Sequence, residues 1–558
     1  MHKRTAAALV GLVSSLTLLA AFSVVRVAGQ VAPAKGVEVV ARNGMVASAH
    51  PLTSQAGLEI LRAGGNAVDA AVAAAFAIGV AEPNANGLGG EGMLVVYIAK
   101  PKKAVAIDYR SAAPATAAYP KTVPATGHQA AAIPGTVAGL TAVLERYGTM
   151  KLPQVMAPAI KIAESGFVVS STLAAAIADN FEEIVKNEPL AAIVCPTGLP
   201  LEAGATLKNP VLAATLRKIA AGGRDVFYKG EIAQAIAKEM AAKGGFITRE
   251  DLAEYRAVER EPVRGTYRDC GIISAPPPVG GLAVIETLQI LEHFEMGKMK
   301  PFSTGHVHVV AEALKRGFAD WGAFVGDPGF VEVPLAGLLS RPYAKARAAE
   351  ISLDRISAKV AAGEPAKYTS PSTTALSTVD SQGNMVALTQ TISDFFGAKV
   401  AIEGTAIILN NEMKNFSARG VNEMAPGKRM RTTIAPTILL RDGRAFATLG
   451  TPGAARIIST MTLIISNLID YKMGIQEAIE APRFFARDGG GQEANALDIE
   501  ERLPAETQAA LSAMGYNIKR LGAFDLFFGG AQGIVVDPKA GRLIGGADPR
   551  RDGAVVGY

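Results

Sequence analysis

The 558-residue chain is short of the residues from which several common kinds of site are built. It has two cysteines, Cys195 and Cys270. Whether they pair is left open, because a core this large does not need a disulfide staple. Its six histidines are scattered and form no Cys/His cluster with metal-ligand spacing. His306 and His308 stand two apart, which turns them to different sides of a helix. Neither a metal nor a cofactor is expected. Charged residues make up only 19% of the chain, the formal net charge is +5, and no Lys/Arg block stands out. Nucleic-acid binding normally needs a concentrated basic face, so that class is excluded. There is no internal repeat, and beyond the first thirty residues no run is long and apolar enough to span a bilayer.

What is present is a chain with 49% apolar residues and 58 glycines, enough to bury a substantial core. The first thirty residues differ from the rest. His2-Lys3-Arg4 is followed by the mostly apolar stretch from Ala6 to Val25, and then by Val27, Ala28 and Gly29. That order predicts a secretory signal peptide over 1–29, hence a periplasmic or secreted protein. An uncleaved N-terminal anchor is the alternative, and the only membrane contact foreseen.

Leu58, Ile60 and Leu61 predict a helix stopped at Gly64-Gly65, and Asn66 caps an Ala-rich helix from Ala67 to about Val80. A turn-rich loop from Glu82 to Gly90 leads into a strand over Met93–Ile98. Further helices are expected near Val137–Tyr147, Val155–Ser165, Val309–Phe318, Ala455–Tyr471 and Pro504–Met514. The stretch from Ala346 to Pro371 has no persistent apolar face and reads as a loose linker. After it the pattern turns β: Thr374–Val379, a turn at Asp380–Asn384, and Met385–Thr391. Ala406–Leu409, Thr437–Leu440 and Ala445–Leu449 are expected to continue that sheet. Strands and helices in both halves point to one layered α/β domain.

An ordered set of short motifs runs from about Val40 to Tyr558. It includes Gly65–Ala71, Glu82-Pro83 through Gly89-Gly90, Asp108-Tyr109-Arg110, Ile133–Thr136, Pro276–Gly281 and Gly326–Pro328. Thr373-Thr374, Asn410–Met413, Thr451–Gly453 and Gly546–Arg550 complete it. On these motifs the chain resembles the γ-glutamyltransferase (γ-glutamyl transpeptidase) family of N-terminal nucleophile hydrolases. The resemblance implies an α+β fold, a four-layer αββα sandwich. It also implies a precursor that cuts itself between Ser372 and Thr373 into a large subunit (30–372) and a small one (373–558), which stay together as one domain.

The resemblance makes Thr373 the nucleophile. Once it is an N-terminus its own α-amine, titrating near ~8, can take the hydroxyl proton. Thr391 is placed beside it to orient that hydroxyl. Gly453-Ala454, a Pro-Gly turn before a helix, fits an oxyanion hole. The family has Gly-Gly there, and the departure at Ala454 matters only if the backbone needs positive φ. Arg110 matches a clamp for the substrate's α-carboxylate, helped by Thr432 and Thr433 where the family has serines.

The other half of the implied pocket should hold an α-ammonium, and here the sequence departs from the family. Glu412 fits, but Asn415 stands for an Asp, Lys414 for the acid before it, and Ser393 for an Asn. Loss of a charged hydrogen bond of roughly 1.5–3 kcal/mol should weaken the hold on the ammonium. The expected reaction is cleavage of γ-glutamyl or related carboxyacyl amides through an acyl-enzyme on Thr373, with transfer to water or an amine. The partners are a small amide substrate and the two subunits of one precursor. A glutaryl-type (cephalosporin) acylase that does not need the ammonium, and a non-catalytic envelope homologue, are the alternatives. Glu412 argues in part against the first of these, and the retained Thr373, Thr391, Arg110 and Gly453 argue against the second.

Overall fold

A computed structural model describes residues 36–115, 119–120, 122–365, 377–487 and 494–558. The cleavage site Ser372-Thr373, Thr374 and the whole predicted signal segment lie outside them. Ala34–Tyr558 forms one compact unit.

Two seven-stranded antiparallel sheets make its centre. One runs, edge to edge, Val39–Ala41, Arg542–Ala547, Gln532–Asp537, Arg444–Gly450, Thr437–Arg441, Cys270–Ser274 and Val263–Tyr267. The other runs Ala554–Gly557, Gly44–Ser48, Ser377–Asp380, Met385–Thr391, Glu91–Ile98, Lys103–Tyr109 and Val258–Arg260. Each sheet takes strands from both sides of the Ser372–Thr373 bond. The predicted strands over 437–440 and 445–449 therefore sit in the facing sheet and do not continue that of Met385–Thr391. Residues 406–409 shrink to Ile407–Ile408, paired only with Ala401–Ile402 in a separate two-stranded ribbon.

Strand periodicity explains the layering, since successive side chains leave a sheet on opposite faces. In the second sheet Leu94, Val96, Val105, Ile107, Val386 and Leu388 point to an outer core shared with the helices Ala67–Ala81, Thr136–Tyr147 and Leu152–Ser165. Met93, Val95, Tyr97, Ala104, Ala106, Met385 and Ala387 point inward, onto the other sheet. Gly281–Leu291, Thr304–Phe324 and Arg456–Ile469 cover that sheet's far side. The result is the αββα sandwich.

Local chemistry sets the helix ends. His50 accepts from Leu52 N at 3.2 Å ahead of Pro51–Arg62, and Asn66 with Asp69 closes a capping box before Ala67–Ala81. That second helix is buried along almost its whole length, and alanine lets it lie close to the strands. Its first residue is tied to the second sheet: Ala67 N donates to Asp380 Oδ2 at 3.0 Å, and Thr378 Oγ1 donates to Ala67 O at 2.7 Å. The predicted helix near Val309–Phe318 extends over Thr304–Phe324, capped by Ser303. His306 and His308 are both buried on it, His306 accepting from Phe302 N at 2.8 Å and His308 bonding to Tyr516 Oη at 2.9 Å. The linker begins later than expected, because 346–349 finish the helix Arg341–Ala349.

Candidate active site

The strand Met385–Thr391 ends at the rim of a cavity of about 820 Å³. Thr391, Ser393, Glu412, Asn415, Thr432, Thr433, Gly453 and Ala454 all line it. Thr391 closes a strand of the second sheet; the others come from the segment after it, from the 3₁₀ turn Glu412–Asn415, and from the segments just before Thr437–Arg441 and just after Arg444–Gly450. Eight of the nine predicted site residues that the structure describes thus meet at one place. Arg110, the ninth, is fully buried and does not line the cavity.

Thr391 is paired in register with Glu91 on the next strand. Its Oγ1 accepts from Ser393 N at 2.8 Å, holding Ser393 in a left-handed conformation at φ 78°. A side-chain acceptor offsets part of the strain of positive φ in a non-glycine residue. The Gly89-Gly90 loop packs flat against this rim. A Cβ on Gly90 would stand 2.4 Å from Thr391 O, and one on Gly89 2.2 Å from Ile408 O.

Glu412 to Asn415 form a short 3₁₀ turn fixed from below by Asn410. The Asn410 amide accepts from Ala132 N and Glu412 N, both at 3.1 Å, and donates to Gly89 O at 2.8 Å and Ala132 O at 2.9 Å. Asn415 donates from Nδ2 to Glu412 Oε2 at 2.8 Å and to Ser393 Oγ at 3.0 Å. Its Oδ1 has no partner among the described residues. Lys414, the cation expected to oppose a substrate ammonium, is ion-paired with Asp394. Burial works to raise the Asp394 carboxyl, but Lys414 and Asn411 overcome it and hold the group below the ordinary carboxylate value.

Gly453 (φ 135°) and Ala454 (φ 49°) turn the chain into the helix, which begins at Arg456 and not at Ala455. The conformation does require positive φ at the position where alanine stands. Thr433 Oγ1 donates to Ala454 O at 2.8 Å and pins this turn. Among the described residues no acceptor meets the N–H of Gly453 or Ala454, and both residues face the cavity. An oxyanion hole is built from backbone donors of this kind, set at a cavity wall and not engaged by the described residues.

Arg110 lies behind the wall that Glu412 presents. It is ion-paired with Glu91 and stands 3.6 Å from Glu412 Oε2 through Nη2. Burial pulls its guanidinium down to about 10, with Glu412 opposing the fall. Glu91 also accepts from Ser111 N at 2.7 Å and is itself fully buried. Sequence reasoning missed Glu91, although it follows directly on the Gly89-Gly90 landmark. A lone acid opening an apolar strand was the available signal, because a buried carboxylate needs a partner. Also missed were Asp394, and Glu82, Asn86 and Arg551 at another part of the cavity wall.

Comparison with known proteins agrees with this geometry. Residues 53–558 match the family model described as gamma-glutamyltranspeptidase. The chain is 40% identical over 547 residues to a glutathione hydrolase proenzyme of Escherichia coli (strain K12), covering 93% of each. It is 41% identical over 535 residues to the acylase ACY 1 proenzyme of Pseudomonas sp. (strain SE83), covering 92% of this chain and 93% of the relative. Among solved structures, a cephalosporin acylase from Bacillus halodurans superposes with a TM-score of 0.87 at 32% identity, over 95% of this chain and 98% of that one. A cavity that gathers the predicted residues, an αββα fold and a match over nearly the whole length have one reading: the chain belongs to the γ-glutamyltranspeptidase family.

Proposed function

We propose that the protein is an autoprocessing γ-glutamyl amide hydrolase and acyltransferase with Thr373 as nucleophile. The observation that carries this is the convergence of Thr391, Glu412, Asn415, Thr433 and Gly453-Ala454, whose N–H groups meet no acceptor among the described residues, on one cavity. In the reaction Thr373 Oγ attacks the amide carbonyl and its proton passes to the Thr373 α-amine. The N–H groups of Gly453 and Ala454 hold the developing oxyanion. The C–N bond then breaks, the amine leaves with the proton, and an ester on Thr373 remains. Water or an acceptor amine attacks that ester and regenerates the hydroxyl. Maturation uses the same hydroxyl on the Ser372 carbonyl, after which water hydrolyses the ester. The basic start and apolar run of residues 1–29 support export of the precursor.

A denaturing gel of the purified protein tests the proposal. Fragments of about 36 and about 20 kDa, the second starting at Thr373, are expected from the residue counts on either side of the cut. Thr373→Ala should remain one band and release no p-nitroaniline from γ-glutamyl p-nitroanilide. An intact wild-type chain after long incubation would favour a non-catalytic homologue.

A second reading, a glutaryl-type acylase, is favoured by Asn415 where the family's acid is expected. Overall identity does not separate the two, since the glutathione hydrolase and the acylase relatives stand at 40% and 41%. Relative rates on γ-glutamyl and glutaryl anilides do.

A further inference from the structure

Arg110 is surrounded by more negative charge than it can balance. Glu91 and Glu412 both face its guanidinium, and all three side chains are at most 2% exposed. Among the described residues, Arg429 meets Asp108 at 2.6 Å, and Arg260 meets Asp108 at 2.7 Å and Asp327 at 3.8 Å. Arg431, on the wall of the same cavity, is turned away onto the carbonyls of Trp321 at 3.2 Å and Gly322 at 2.6 Å. Lys414 is held by Asp394. Among the described residues, the cluster therefore sets two carboxylates against one guanidinium. Its edge on the cavity is Glu412, bonded to the side chain of Asn415, which lines the cavity with it. The Asn415 amide cannot turn round without setting its oxygen against the Glu412 carboxylate, so Nδ2 is fixed toward Glu412 and the oxygen stays an acceptor.

We propose that Glu91 is a specificity-determining residue. Its carboxylate fills from inside the protein the position on Arg110 that a donor's carboxylate would take, and the subsite in front accepts a cationic group. The donor class that follows is an amide whose acyl chain ends in a primary ammonium, with no carboxylate required, such as a 4-aminobutyryl amide. A γ-glutamyl group is accepted through its ammonium, and a glutaryl group, carrying only an anion, is disfavoured. The placement of Glu91 supports this role. It is the register partner of Thr391 on one side, and on the other Gly92 pairs with Tyr109, next to Arg110. Such a bridge between the reacting strand and the buried cation is not needed for the sheet's own hydrogen bonding. The inference rests on the amidase reading above and narrows its substrate.

The test measures kcat/KM on γ-glutamyl, 4-aminobutyryl and glutaryl p-nitroanilides, for the processed wild type and for Glu91→Gln. The wild type should prefer 4-aminobutyryl to glutaryl by about tenfold or more, the factor expected of one charge-assisted hydrogen bond. Glu91→Gln keeps an acceptor for Ser111 N but removes one of the two negative charges beside Arg110, so glutaryl turnover should rise and that preference fall by about tenfold. A wild type that prefers glutaryl, or a variant whose preference stays within twofold, overturns the proposal and leaves the amidase reading standing. Processed wild type that cuts none of the three overturns both. Should Glu91→Gln fail to fold or mature, competitive inhibition of the wild type decides. 4-Aminobutyrate must bind more tightly than glutarate, and the reverse order overturns the proposal.

Discussion

The side-chain amide of Asn415 donates to the Glu412 carboxylate at 2.8 Å, at the mouth of the cavity. An aspartate in its place would set two carboxylates against each other, and like charges that close destabilise the empty site. An ammonium lying between them would relieve the repulsion. Asn415→Asp should therefore lower stability by about 1 kcal/mol, the worth of one hydrogen bond. It should also raise the γ-glutamyl over glutaryl ratio of kcat/KM about tenfold. Thermal unfolding and the two anilides check this, and an unchanged ratio would show that the ammonium does not sit there.

Ala454 holds φ at 49°, a region that favours glycine. A left-handed L-residue carries about 1–2 kcal/mol of strain. Ala454→Gly should raise stability by about 1 kcal/mol, net of the chain entropy that glycine adds, and keep activity, because only backbone N–H groups are used. The neighbouring change, Gly453→Ala, should act the other way. At φ 135°, with Gly529 Cα 3.2 Å from the new Cβ, the turn must shift and misdirect both donors. Loss of an oxyanion donor lowers kcat by roughly 10²–10³. Full activity in Gly453→Ala would remove this turn from the mechanism.

The residues that sequence motifs made legible are those whose work is local. Gly453-Ala454 reads as a helix-opening turn, and Asn66 as a cap, because each needs only its immediate neighbours. The strand Met385–Thr391 was visible because its turn residues, Asp380 to Asn384, bond within themselves: Asp380 Oδ1 accepts from Gln382 N at 2.9 Å and from Asn384 N at 3.0 Å. Sheet membership was not legible. Thr437–Arg441 has the same apolar pattern as Met385–Thr391, and nothing along the chain says that it pairs with Cys270–Ser274, more than 160 residues earlier. Charge pairing was hidden for the same reason. Lys414 reads as a cation beside the pocket, and only the fold brings Asp394, twenty residues away, against it. Arg110 matches a carboxylate clamp in the sequence, and only the fold shows Glu91 paired with it.

Cys195 and Cys270 are both buried and both free. They belong to different cores: Cys195 ends a helix of the outer layer, while Cys270 starts a strand of the first sheet. Burial raises both thiols above their ordinary value, so neither is a ready thiolate. Two free thiols per chain should titrate in denaturant, none rapidly in the folded protein, and reducing agent should leave the unfolding midpoint unchanged. A single rapidly reacting thiol in the native state would contradict this packing.

Glu82 lines the cavity with Asn86 and Arg551. Burial pushes its carboxyl up to about 7 from an ordinary 4.5, with Arg551 opposing and Asp552 adding to the rise. A folded-state value above the unfolded one means that the native protein binds the proton more tightly. The stability this provides is fully present below pH 4.5 and is lost as the pH climbs through 7. A shift of that size corresponds in full to about 3 kcal/mol, and the contact of Glu82 with the open cavity reduces it. Glu82→Gln removes the titration, so the wild type should lose stability against the variant between pH 5 and pH 8. Unfolding midpoints of the two proteins, measured side by side at each pH, should diverge steadily in that direction. Parallel curves would mean that water in the cavity solvates Glu82 as well as bulk water does.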